Sequence, residues 1–298
     1  MAAAAIRKRP APGQDPRVHR GKKPRYAFGS IGDYEKLEVL GDGAYGVVIK
    51  AHDRRTITLE ACCLAACHGH PSIIKIFDVA TDAETWDFFL VMELVDGGRT
   101  LCEEIWKPLD EDVARRMMRL ILDAAKKIHG VGIIHRDIKP ENVLVSMFGA
   151  LKVCDFGSTM RQKPAGVPYE ECRVGTMIYT SPEQFAGNRY YGQAMDMWAL
   201  GCVMDEILAG ETLFVGKTEE DMVAEMSKLR DQINSTGKMD GLEFFDELSE
   251  AGREVLLGLL AFNPDERLTA TEALQHRWFS EPSASVSQRY PGFVNLFS

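Results

Sequence analysis

The spacing of apolar residues changes along the chain. Tyr34–Leu40 and Val47–Ala51 are β-rich runs around a Gly-rich turn, which predicts a hairpin. Ile73–Val79 and Phe88–Glu93 predict two more strands, and Asp96-Gly97-Gly98 then breaks the pattern as a hinge or turn. Beyond it the period becomes helical. In Asp110–His129 the set Val113, Met117, Leu120, Ile121, Ala124 and Ile128 falls on one face, with Asp110 placed to cap and Gly130 to end the helix. Further helices are predicted around Ala194–Leu208, Glu219–Arg230, Ser249–Leu260 and Thr269–Gln275. A short β-rich part therefore precedes a longer helical part, with no internal repeats. Chemistry shared by the two would lie in a cleft between them.

Composition and charge narrow the class. A chain of 298 residues is long enough for two lobes with a core of their own, and 45% hydrophobic with 27% charged residues is ordinary for a folded protein. No apolar run approaches the roughly 18 residues of a membrane helix. Arg7-Lys8-Arg9 follows only a brief apolar start, the reverse of a signal peptide. The seven cysteines then read as reduced thiols of an intracellular protein, in nucleus, cytoplasm or both. Net charge is −9, but residues 1–29 carry eight basic side chains against Asp15, a net of +7, leaving −16 on the rest. An acidic body repels nucleic acid. The Pro-rich basic tail, residues 1–30, reads as disordered, and its two basic clusters fit a nuclear address as well as a solvated tail.

Three separated segments suit phosphate and metal. Gly41-Asp42-Gly43-Ala44-Tyr45-Gly46 also fits dinucleotide binding or a plain turn, but Val47-Val48-Ile49 follows in place of a helix, favouring a loop laid over a nucleotide. His135-Arg136-Asp137-Ile138-Lys139-Pro140-Glu141-Asn142 supplies a carboxylate to orient a hydroxyl and take its proton, an ammonium to neutralise phosphate, and an amide oxygen for Mg²⁺. Asp155-Phe156-Gly157 places a carboxylate suited to a metal at a strand end, 13 residues after Asn142.

The order of these segments, followed by Ser181-Pro182-Glu183, resembles eukaryotic protein kinases from about residue 34 to 280. The resemblance implies an α+β bilobal fold, with a small lobe over residues 31–95, a large helical lobe over 96–280 and an extension over 281–298. It implies ATP and Mg²⁺ as cofactors and a protein substrate phosphorylated on Ser or Thr. Asp137 and Lys139 would be catalytic, and Asn142 and Asp155 would hold metal. Gly41, Asp42, Gly43, Ala44, Tyr45, Gly46 and Val48, with Glu93 and Val95 of the hinge, would bind ATP. Met92 looks like the gatekeeper. Asp196 looks like part of the buried helix that anchors the catalytic loop, and Arg267 like the partner of Glu183. Gly41–Val48, Lys50-Ala51-His52-Asp53 and His70-Pro71-Ser72-Ile73 are similar to cyclin-dependent kinases, the plant F class above all.

Departures from that pattern concentrate in the first lobe. The family's third strand carries a lysine that holds the α- and β-phosphates and pairs with a Glu of the next helix. No lysine occurs in residues 51–74, so the third strand reads as missing, and Glu60 is the candidate Glu without its partner. Lys50 would substitute only in a rearranged lobe. Loss of one such charge typically costs about 10²–10³ in rate, which keeps a pseudokinase or scaffold as the alternative. The cyclin-docking helix is atypical at Leu59–Cys67, so a cyclin partner is left open. The activation segment lacks the usual phosphorylated threonine. Counting from Glu183, Glu171 (or Glu170) stands there, as a phosphate mimic for Arg136 or as a solvated acid. Cys62, Cys63, Cys67, His68 and His70 are dense enough to weigh zinc, but the thiols read as buried and His70-Pro71 has a matching place in the kinase family, ahead of a zinc site.

Overall fold

The computed structural model describes residues 4–8, 29–31, 34–39, 48–51, 54–95, 99–239 and 243–281. The first lobe is built from β1 (Ala4–Lys8), β2 (Gly29–Ser30), β3 (Tyr34–Val39), β4 (Val48–Ala51), α1 (Arg54–Ala66), β5 (Ile76–Thr81) and β6 (Phe88–Met92). Its main sheet has the order β2-β5-β6-β4, with β2 parallel to β5 and the other pairs antiparallel. β1 and β3 form a separate antiparallel ladder.

This arrangement corrects three expectations. β3 and β4 both exist, but they pair with different partners instead of with each other as a hairpin. Only residues 52 and 53 separate β4 from α1, so β4 is the last strand before the helix. It stands directly beside β6, whose backbone donors and acceptors require a partner. The tail is also not uniformly unstructured. Ala4–Lys8 supplies β3 with a ladder, and Gly29–Ser30 adds to β5. The strand expected from Ile73 begins at Ile76. Ile73 makes an isolated bridge to Val153, and Ile74 N–H donates to Val153 O at 2.9 Å, which ties the first lobe to the second.

The second lobe continues with β7 (Arg99–Thr100), α2 (Leu101–Glu104), α3 (Glu111–Gly130), β8 (Ile133–Ile134), β9 (Val143–Val145), β10 (Leu151–Val153), β11 (Met160–Arg161), α4 (Pro182–Phe185), α5 (Ala194–Ala209), α6 (Glu219–Thr236), α7 (Glu243–Glu247), α8 (Glu250–Leu259) and α9 (Ala270–Gln275). α3 buries Val113, Met117, Ile121, Ala124 and Ile128, as its period requires. Asp110 sits at its N-cap without a side-chain hydrogen bond, while Glu111 and Asp112 in the first turn and Lys127 and His129 in the last complement the helix dipole. α5 is buried from Met195 to Leu208 and forms the axis of the lobe. Gly201 admits α8 closely, since a Cβ there would lie 2.7 Å from the Leu260 side chain. α6 opens on a reciprocal Thr218–Asp221 cap and runs to Thr236, past the expected end. One apolar core reaches from Ile57 and Leu64 of α1 through Met117 and Ile121 of α3 to Trp198 and Val255. Among the described residues no helix is long and apolar enough to cross a membrane.

Candidate active site

The chemistry-bearing residues converge on the loop between β8 and β9, the end of β10, and the segment after β11. Asp196, at the start of the buried α5, organises the loop. Its Oδ2 accepts from His135 N–H at 2.8 Å and lies 2.8 Å from His129 Nε2, and its Oδ1 accepts from Arg136 N–H at 2.8 Å. Burial alone would raise this carboxyl, yet His129 and the His135 N–H hold it below the usual range. Arg136 has φ +68°, an uncommon conformation for a non-glycine residue, and the bond from its N–H to Asp196 helps to hold it there. His135 is fully buried, and burial pushes its imidazole down against the pull of Asp196. The neutral ring accepts from Asp137 N–H on Nδ1 at 3.4 Å and donates from Nε2 to Cys154 O at 3.2 Å.

Asp137 is thereby presented with its neighbours in place. Thr176 Oγ1 donates to Asp137 Oδ1 at 2.9 Å, and Lys139 Nζ donates to Thr176 Oγ1 at 2.8 Å. Lys139 Nζ also stands 3.2 Å from Asp137 Oδ2. The Asn142 amide nitrogen donates to Asp137 O at 2.8 Å and to Oδ2 at 3.1 Å, which leaves the amide oxygen for a cation. Asp155 is left-handed, φ +56°, and its Oδ1 accepts from Gly157 N–H at 3.2 Å. An amide oxygen and a carboxylate are hard donors, the kind Mg²⁺ takes, so the chemistry of these groups fits that ion. Glu183 and Arg267 form a buried two-point ion pair at 2.9 and 3.0 Å, as expected.

The first lobe contributes less. Gly41–Gly46 lie outside the described residues, and Val48 is described only by its register with Val91. Lys50 is in register with Phe89, and Ile49 with Leu90. Leu90 shares the main core with Ile57 and Leu64 of α1, whereas Phe89 packs with Ala80 and Val91 in a separate cluster. Ile49, not Lys50, therefore holds the position across from the residue that meets α1. Glu60 lies buried on α1 beside the Asp155-Phe156-Gly157 turn. Burial, aided by Asp155, lifts its carboxyl to about 7 against a hydrogen bond from the Phe156 backbone. Of the hinge, Val95 is buried, and Glu93 Oε1 accepts from Lys75 N–H at 2.7 Å and pairs with Lys152 Nζ at 2.9 Å.

Glu171 is not among the partners of Arg136. The guanidinium donates instead to Ser158 O at 2.6 Å and to Tyr191 Oη at 3.2 Å. Thr176 as a direct partner of Asp137 and Tyr191 as a partner of Arg136 were not foreseen; they are 39 and 55 residues distant in sequence, with no local pattern joining them. Among the described residues no three His, Cys, Asp or Glu side chains stand close enough to hold a metal ion, and Cys62 is exposed while Cys63 and Cys67 are buried.

Comparison with known proteins agrees with this geometry. The protein kinase domain family matches residues 52–279. The chain is 37% identical to "Putative cyclin-dependent kinase F-2" of Oryza sativa subsp. japonica, over 83% of this chain and 90% of that one. It is 30% identical to cyclin-dependent kinase G-1 of Oryza sativa subsp. indica over 85% of this chain, and 32% identical to mitogen-activated protein kinase 15 of Rattus norvegicus over 80%. It spans 43% of the former and 52% of the latter. A chain of the CAK complex of Chaetomium thermophilum, solved bound to ATP-γ-S, superposes with a TM-score of 0.68 at 25% identity, covering 78% of this chain and 82% of that one. Fold, site geometry and relatives together place the chain in the protein kinase family, on its cyclin-dependent-kinase-like branch.

Proposed function

We propose that the protein is an ATP-dependent serine/threonine protein kinase that transfers the γ-phosphoryl group to a hydroxyl of a protein substrate. The observation that carries this reading is the assembled Asp137–Lys139–Thr176 cluster beside Asn142 and Asp155. Asp137 accepts the proton of the attacking hydroxyl. The new P–O bond forms as the bond to the β-phosphate breaks, and ADP leaves. Lys139 neutralises charge on the transferring group, and Thr176 keeps the lysine and the carboxylate in one hydrogen-bonded unit. Asn142 and Asp155 would hold Mg²⁺, which when bound shields the phosphate charge. The ATP-γ-S of the solved neighbour supports the choice of nucleotide.

Transfer of label from γ-labelled ATP to a generic protein substrate tests the reading, with Asp137→Asn as control. Incorporation no higher than in the control would reject it. A pseudokinase is the second reading, and the register of Lys50 favours it. Thermal shift with Mg-ATP separates the two, because a ligand bound to the folded state raises stability even where no turnover follows. A nuclear or cytoplasmic setting and a cyclin-type partner for α1 belong to the same proposal.

A further inference from the structure

The activation segment is held to the catalytic loop by an aromatic clasp. Tyr169 and Tyr191 are both buried and stacked, with centroids 4.3 Å apart and planes 9° from parallel. With Ile134 and Met195 they form a small core of their own, against which Met160 and Val174 pack. That core gathers the strand before the catalytic loop, both ends of the activation segment and the start of α5. Polar bonds fix its register. Tyr169 N–H donates to Arg189 O at 2.8 Å, Arg189 Nε donates to Tyr169 O at 2.6 Å, and Lys163 N–H donates to Tyr169 Oη at 2.9 Å. The stack leaves the Tyr191 hydroxyl at Arg136, whose guanidinium also donates to Ser158 O. On the far side Gly175, φ +89°, seats the segment against Arg136, since a Cβ there would lie 2.3 Å from Arg136 O.

A guanidinium beside a catalytic carboxylate needs acceptors to hold one geometry, and a phosphorylated activation segment is one way to supply them. Here neutral oxygens do so. We propose that Tyr191, braced by Tyr169, is a positioning residue that serves Arg136 where a phosphate otherwise would, so that the activation segment and Asp137 are ordered without phosphorylation. This builds on the phosphoryl-transfer reading, but its structural content does not depend on turnover.

The test uses the full chain, shown by intact mass to be unphosphorylated. Trypsin cleavage after Arg173, which Val174 follows, reports opening of the segment, and the melting temperature reports global stability. Unphosphorylated wild type is expected to be cut slowly. Tyr191→Phe keeps the stack but loses the acceptor, and should be cut roughly tenfold faster with little change in melting temperature. Tyr169→Leu removes the brace and should be cut faster still. In an active enzyme, Tyr191→Phe should lower kcat and leave the KM for ATP unchanged. Cleavage of Tyr191→Phe at the wild-type rate overturns the proposal, and so does wild-type protection that appears only after treatment with an activating kinase. A protein without transferase activity in which Tyr191→Phe still opens the segment would reject the kinase reading and leave this one standing.

Discussion

The two lobes complete their pairing differently. In the second lobe every group that faces the reaction has a partner: Asp196 holds two loop N–H groups, Asp137 receives Thr176 and Asn142, and Arg267 closes on Glu183. In the first lobe the described strands pair in an order that the sequence pattern did not predict. β4 takes the place beside β6, and β3 finds its ladder in β1. The sheet is repaired because backbone pairing is indifferent to sequence. Charge pairing is more demanding, because it needs one particular side chain on one face. Glu60 is buried on α1, and Lys50 stands in register with Phe89. Backbone pairing is thus more permissive of a change of partner than pairing between charges is.

The largest expected effect would break the second lobe. Arg267→Ala leaves Glu183 buried and unpaired, which should cost about 3–5 kcal/mol in chemical denaturation. A smaller loss would mean that this lobe is less tightly specified than its geometry implies. Next is Gly175→Ala. Its Cβ would overlap Arg136 O, so the segment must shift, and displacement near Asp137 should lower kcat by roughly 10²-fold with the fold retained. Unchanged kinetics would detach the segment from the site.

Asp205 is an exception inside the well-built lobe. Both its carboxylate oxygens are buried without a hydrogen-bond partner among the described residues, and burial, with Glu206 and Glu211 nearby, pushes the carboxyl well above the usual range. A folded-state pKa raised above the unfolded one means that the native state binds the extra proton, so stability falls as pH rises from the unfolded pKa toward the folded one. Asp205→Ala should therefore stabilise the protein by about 1–3 kcal/mol at neutral pH, and the gain should shrink as pH is lowered toward 4. A gain independent of pH would show that a cavity or strain, not charge, is being relieved. The smallest effect is expected of Lys50→Ala, whose transferase rate should stay within about threefold of wild type if the register reading holds. A loss near the 10²–10³ expected of a phosphate-binding charge would place Lys50 in the site after all.

Local spacing made much of this legible. Helices α3, α5, α8 and α9 lie close to where their apolar periods and flanking residues put them, because each buries one continuous face or core run. The reacting groups Asp137, Lys139 and Asn142 were readable for the same reason. They occupy one octapeptide, so their proximity follows from covalent geometry, and Asp155 follows one short hairpin later. The choice of partner for β3 and β4 was not readable, since two strands flanking a Gly-rich turn present the same pattern whether or not they pair. Glu171 failed as a partner of Arg136 because counting along a segment carries no information about where it folds.

What the sequence determined by itself is the chemistry: which carboxylates, ammonium and amide could act, that residues 51–74 hold no lysine, and which family the order of motifs resembles. Those are properties of residue identity and short spacing. Tertiary structure alone decided which acceptor reaches Arg136, which strand repairs the small sheet, and that Asp205 is buried without a partner. Each of these depends on contacts between segments distant in sequence, and they form only where packing brings the segments together.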